Sequence, residues 1–182
     1  MTLSKLLISL YLFSLTALSF LSLNYYGYFF ALAQMSDQNF ETYNNPTFGI
    51  RIQSPPDWGR LDLSFLGNES ADIDFYPLEE VSQAIAVKVQ AKSLPLQNMT
   101  LDDYTKTQIN YTEEQLLVSN ASTLAGLLAH QVIFTNLGLK TMQIWTIEDD
   151  RVYTITYVAE EEDFQKDLQI AERMIKSFQI TK

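Results

Sequence analysis

The chain has 182 residues, 47% of them hydrophobic and 19% charged, a composition that folds into a packed core. Its formal net charge of −10 opposes binding to phosphate backbones and to anionic lipid, which excludes a nucleic-acid partner. Cysteine is absent, which excludes a disulfide framework, a thiolate metal site and a cysteine nucleophile.

The N-terminal segment, residues 1–33, carries one charge, Lys5, and is apolar from Leu6 to Leu23 except for interspersed Ser and Thr. Ala31-Leu32-Ala33 has the small-x-small form of a signal-peptidase site, placing cleavage between Ala33 and Gln34. The apolar run is also longer than a usual signal core, so an uncleaved anchor is the competing reading. Both put the acidic remainder on the extracytoplasmic side, secreted or held at the outer face of the membrane. Four N-x-Ser/Thr sequons, at Asn68, Asn98, Asn110 and Asn120, agree with export and are glycosylation candidates. Asn with a following Ser or Thr also makes ordinary turns.

Residues 34–46 read as a short polar linker and first turn, ahead of a single domain over 40–182. Phe48 to Gln53 alternates as a half-buried strand. Pro55 and Pro56 then remove two ladder donors, and Trp58 follows at once. This reads as a structural corner in which the indole covers the end of a sheet. Leu61, Leu63 and Phe65 alternate again, as do Ala71–Leu78 and Ala84–Ala91. At Thr100-x-x-Asp103 the period changes. A capping box opens a helix predicted over 101–116. Strands follow at Ala129–Asn136, Thr141–Glu148 and Arg151–Ala159. The last is apolar on both faces, which predicts a central strand. Phe164, Leu168, Ala171, Met174 and Phe178 mark one face of a closing helix, with the run Glu160–Asp163 at its positive end. Runs of strands with one helix inserted and one at the end predict an α+β fold on a mostly antiparallel sheet.

No motif carries established chemistry. His130 is the single histidine, and there is no nucleophile elbow, P-loop, dinucleotide fingerprint or His-Glu-x-x-His. Asp72-x-Asp74 places two carboxylates on one face of a strand, a candidate site for Ca²⁺ or Mn²⁺; solvated edge charge is the alternative. Other carboxylate pairs, at Glu79-Glu80, Asp102-Asp103 and Asp149-Asp150, leave a carboxylate-dependent extracellular enzyme as the second functional reading.

Tyr43-Asn44-Asn45-Pro46-Thr47-Phe48-Gly49-Ile50 followed by Pro55-x-x-Trp58 resembles the opening of the PsbP-like family. That family comprises extrinsic oxygen-evolving-complex subunits of photosystem II and their non-photosynthetic relatives. Thr100-Leu101-Asp102-Asp103-Tyr104, Leu124-Ala125-Gly126 with Ala129, Gln143-x-Trp145, Arg151-Val152-Tyr153 and Ile175-x-Ser177-Phe178 resemble its later segments in order. Leu128 stands where the family usually has a small residue or proline. The resemblance spans roughly Phe40 to Ile180. It implies an α/β/α sandwich around an antiparallel sheet, an exported location, and service as a non-enzymatic accessory subunit docked on a membrane-associated assembly. It also implies association with calcium or manganese.

Overall fold

The computed structural model describes residues 39–64, 70–78, 86–110 and 115–181. Ten strands and two helices are formed there. In chain order they are β1 (Glu41–Asn45), β2 (Ile50–Ser54), β3 (Trp58–Asp62), β4 (Ala71–Pro77), β5 (Ala86–Ser93), α1 (Leu101–Asn110), β6 (Gln115–Leu124), β7 (Leu127–Asn136), β8 (Leu139–Glu148), β9 (Arg151–Glu160), α2 (Phe164–Ser177) and β10 (Gln179–Ile180). Seven strands make one sheet in the order β3-β4-β5-β9-β8-β7-β6, and β1-β2-β10 make a smaller one. Every described pairing is antiparallel.

The alternation of β9 explains its place. It is the fourth of the seven strands, and its two faces feed two separate cores. Tyr153, Ile155, Tyr157 and Ala159 enter the main core with Ile73, Phe75, Val87 and Val89 of the sheet. Phe164, Ala171 and Met174 of α2, and Tyr43, Ile50 and Ile52 of the small sheet, close over that core. Burying Phe164 or Met174 fully contributes about 1.5–3 kcal/mol each. Val152 points the other way, into a second core of Tyr104, Val132, Phe134 and Trp145 beneath α1. The Trp145 indole N–H donates to Thr105 Oγ1 at 3.0 Å, which satisfies the one polar atom of a ring that is 1% exposed.

The helices thus lie on opposite faces, a choice that periodicity leaves open. The expected α/β/α layering holds only in part, because the sheet dominates and α1 has only 10 residues. The capping box forms: Asp103 N–H donates to Thr100 Oγ1 at 3.1 Å, and Thr100 N–H to Asp103 Oδ2 at 3.4 Å. The Thr100 hydroxyl also donates to Asp103 Oδ2 at 2.6 Å, and this bond, followed by the one from Thr100 N–H, holds the Asp103 carboxyl below its usual range.

Three boundaries differ from the sequence-based expectation. The helix expected over 101–116 ends at Asn110, and Gln115 already starts β6. Leu116 belongs to a strand because it pairs with Phe134, where β7 would otherwise lack a partner on that side. The strand expected around Leu61–Phe65 starts earlier, at Trp58, because the proline corner delivers the chain straight to the edge of β4. Glu41–Asn45, expected to be linker and turn, is strand β1, whose one buried side chain is Tyr43.

Three hairpins, β6–β7, β7–β8 and β8–β9, close with two-residue loops: Ala125-Gly126, Leu137-Gly138 and Asp149-Asp150. All six residues have positive φ, the turn hand that matches the twist of paired strands.

Candidate functional site

The pair Asp72 and Asp74 lies on β4, opposite Gln90 and Lys88 of β5. Lys88 Nζ stands 3.5 Å from Asp72 Oδ1 and 3.4 Å from Asp74 Oδ1, and Gln90 Nε2 donates to Asp72 Oδ2 at 3.1 Å. Neither Oδ1 accepts a hydrogen bond; each faces the ammonium. The two carboxylates therefore share one protein cation, which offsets half of their charge. Among the described residues no group of three or more His, Asp or Glu side chains gathers around a common point. As arranged, this donor set does not fit calcium or manganese, which take six or more oxygens, or several waters beside the carboxylates.

At the corner, Trp58 N–H donates to the Pro55 carbonyl at 3.2 Å, closing a turn that carries the chain from the small sheet to the large one. Pro55 is buried and Pro56 exposed. Trp58 is half-buried against the rim of the main core and opposite Pro77. Nearby, the Tyr43 hydroxyl donates to Asp62 Oδ2 and accepts from Asn45 Nδ2 at 3.1 Å, under the Arg60 guanidinium. Burial, and then the bond to Asp62, push the Tyr43 phenol up to about 12. Burial works to raise Asp62, but hydrogen bonds from Tyr43 and Ser64 outweigh it and hold that carboxyl below the usual range.

His130 stacks on Trp145 at 5.5 Å between ring centres, and its Nε2 lies 2.9 Å from Ser119 Oγ of β6. That is a serine–imidazole contact in which the imidazole packs against an indole, and among the described residues no acidic side chain is paired with it, so the triad logic is incomplete there. Of the sequons, Asn98 is exposed in the turn before α1, at φ +59°, and Asn120 is exposed on β6. Asn110 ends α1. Asn68, and the cleavage candidates Ala33 and Gln34, lie outside the described residues. No helix among the described residues is long and apolar enough to cross a membrane.

One region draws no attention from motif reading. From Gln115 to Leu139 the chain has no Asp, Glu, Lys or Arg, although Glu113, Glu114 and Lys140 border the stretch. It forms β6, β7 and the start of β8, and β6 is the last strand of the large sheet. Leu116, Leu117, Leu128, Leu137 and Leu139 all stand exposed along it. A bulge between Leu116 and Val118 breaks the pairing and leaves both Leu116 and Leu117 facing solvent. The signal was in the sequence as a missing feature: a long uncharged run in an acidic chain.

Near Leu139 the acidic run reappears. Glu160 pairs with Leu139 across the sheet, and Glu161 N–H donates to the Gly138 carbonyl at 3.0 Å. Leu137, Gly138 and Leu139 line one side of an open groove of about 580 Å³, and Glu160, Glu161 and Glu162 the other. Asp163 takes the N-cap position of α2 without a side-chain capping bond.

No protein-family model matches this chain, and no curated protein matches it. Solved structures do. Cyanobacterial PsbP (CyanoP) from Synechocystis sp. PCC 6803 matches with a TM-score of 0.61 at 14% identity, over 79% of this chain and 93% of its own. LpqN of Mycobacterium tuberculosis, described as involved in cell envelope biogenesis, matches at 0.51 and 15% identity, over 81% of this chain and 94% of its own. A protein of Bacteroides thetaiotaomicron VPI-5482 matches at 0.54 and 11% identity, over 78% of this chain and 48% of its own. With the antiparallel sheet, the proline corner and the two helices in place, the chain has the PsbP-like fold.

Proposed function

We propose that this protein is an exported, non-enzymatic accessory module that docks on a membrane-associated protein assembly at the extracytoplasmic side. The observation that carries the reading is the uncharged stretch from Gln115 to Leu139, with Leu116, Leu117, Leu137 and Leu139 exposed at one end of its strands in a chain of net charge −10. Surface of that kind marks contact with another macromolecule. The PsbP-like fold and the signal-like N-terminus support the reading. The described polar groups agree with it: the Asp72–Asp74 carboxylates share the Lys88 ammonium, and His130 has serine and indole for neighbours. A divalent cation would enter between Asp72 and Asp74 only by displacing that ammonium. The sequons at Asn98 and Asn120 stand exposed, where glycan would face solvent.

The test is native purification from membranes in mild detergent, followed by sedimentation. An accessory module travels with a defined larger assembly at fixed stoichiometry. A chain that sediments alone after membrane solubilisation, and also after chemical cross-linking of intact cells, would end this reading. The carboxylate-enzyme reading would then take its place.

A further inference from the structure

We propose that the corner formed by the start of β6, the β7–β8 turn and the acidic turn that follows the end of β9 is the docking surface itself. Its partner is a protein segment that carries an aliphatic anchor flanked by lysine or arginine. This rests on the accessory-module reading above and names the contact through which it would operate.

Leu137 is the centre of the argument. It is 97% exposed and sits at φ +49°. An L-residue with a Cβ loses roughly 1–2 kcal/mol in that left-handed region. Asn, Asp or Gly is the usual choice at this turn position. A leucine gains no local hydrogen bond there, and at that exposure it gains little burial. Both costs go unrewarded within the domain, while a partner that buried the side chain would reward them. Its neighbours extend the apolar surface. Leu139 is 37% exposed, and Leu116 and Leu117 are 40% and 46% exposed. The strand register brings them to one end: Leu116 pairs with Phe134, two residues before Asn136, which pairs with Leu139.

Charge selects the occupant. Glu160, Glu161 and Glu162 form the wall of the groove opposite Leu137 and Leu139, and the Glu161–Gly138 backbone bond ties the acidic turn to the leucine turn. Lys140 is the neighbouring cation on β8, and its Nζ lies over the Phe164 ring at 5.0 Å. A second copy of the chain would bring acid against acid, and an anionic membrane would be repelled in the same way. A cationic segment with an aliphatic side chain satisfies both halves of the groove.

The experiment uses the full chain and a defined probe: a fluorescein-labelled Lys-Leu-Leu-Lys-Lys-Leu-Leu-Lys peptide, with a control in which Glu replaces each Lys. The wild-type protein binds the basic peptide, with affinity falling as salt rises, and does not bind the control. Leu137→Asn suits the left-handed turn and so folds. It weakens binding at least tenfold. The triple variant Glu160→Gln, Glu161→Gln, Glu162→Gln weakens it similarly and flattens the salt dependence. Failure of the wild type to bind, or equal affinity in either variant, overturns the proposal. Binding to neutral phosphatidylcholine vesicles that disappears in Leu137→Asn would identify a membrane-inserting loop instead, and would also overturn it. In native membranes, a benzophenone amino acid replaces Leu137 in one protein and Leu61, exposed on the far edge strand β3, in another. Cross-links from position 137 to a basic segment support the proposal. Cross-links from position 61 alone overturn the site and leave the accessory reading standing. No cross-link from either position removes both.

Discussion

Replacing Lys88 by methionine tests the reading of the Asp72–Asp74 pair. The change keeps most of the aliphatic stem and removes the charge. Two contacts are lost, at 3.5 and 3.4 Å. At an effective dielectric near 20, each amounts to about 4–5 kcal/mol of attraction before any desolvation is counted. The three side chains are 37%, 32% and 26% exposed, so screening removes a large share, and desolvation of the ammonium removes more. What remains is chiefly the repulsion between two carboxylates left on one strand face, a net loss of about 1–3 kcal/mol. For a domain of this size that lowers the thermal midpoint by roughly 3–10 °C. Circular dichroism melts at low and high salt measure it, and the loss should shrink in high salt. Adding Asp72→Asn and Asp74→Asn to Lys88→Met should restore most of the midpoint. Millimolar calcium should stabilise Lys88→Met and leave the wild type unchanged. A variant that melts within about 1 °C of the wild type would refute the electrostatic argument. Stabilisation of the wild type by calcium would show that a divalent cation does displace Lys88.

Three further predictions follow from packing and titration. Gly49 has φ +64°, and an added Cβ would lie 2.4 Å from the Thr181 carbonyl oxygen. Gly49→Ala should therefore cost about 2–4 kcal/mol in denaturant unfolding and expose the β2–β10 amides to hydrogen exchange. Trp145→Phe deletes the bond to Thr105 and leaves that buried hydroxyl unpaired, for a loss of about 1–3 kcal/mol; Thr105→Val in the same background should return part of it. Asp62 has a depressed carboxyl, so its contribution is present above the ordinary carboxylate range and disappears as pH falls through its folded value. The stability difference between wild type and Asp62→Asn should accordingly be constant above pH about 5 and vanish on acidification. A difference that grows in acid would reverse the assigned direction.

What could be read in the sequence was what burial writes into it. Strand β9 was legible because Val152 and Tyr153 feed different cores, so both of its faces are apolar. Helix α2 was legible because Phe164, Ala171 and Met174 recur at helical spacing under full burial. Strand β6 was not. Its residues are mostly exposed and small, and its leucines extend the stripe of α1 at helical spacing, so period alone assigns Leu116 to the wrong element. Strand β1 was hidden for the same reason, with Tyr43 its one buried side chain. At the site, Asp72 and Asp74 were visible as a pair, but the ammonium that meets them comes from the next strand and is fixed by register, which no local pattern encodes. Leu137 was invisible for the opposite reason: a lone apolar residue beside a glycine becomes informative only when its exposure and backbone angle are known.

The small sheet joins the first strand of the domain to the last, with β2 between them and Thr181 N–H reaching the Gly49 carbonyl. A polypeptide emerging in order, whether from a ribosome or through a translocation pore, must hold Ile50 and Ile52 unsatisfied until nearly every later residue has followed. The loop-closure entropy of that final clasp is met last, after the seven-stranded sheet can already have zipped. Until then the half-made chain shows an apolar ribbon to whatever lies near the exit, and release of the tail acts as the latch that ends its vulnerable period.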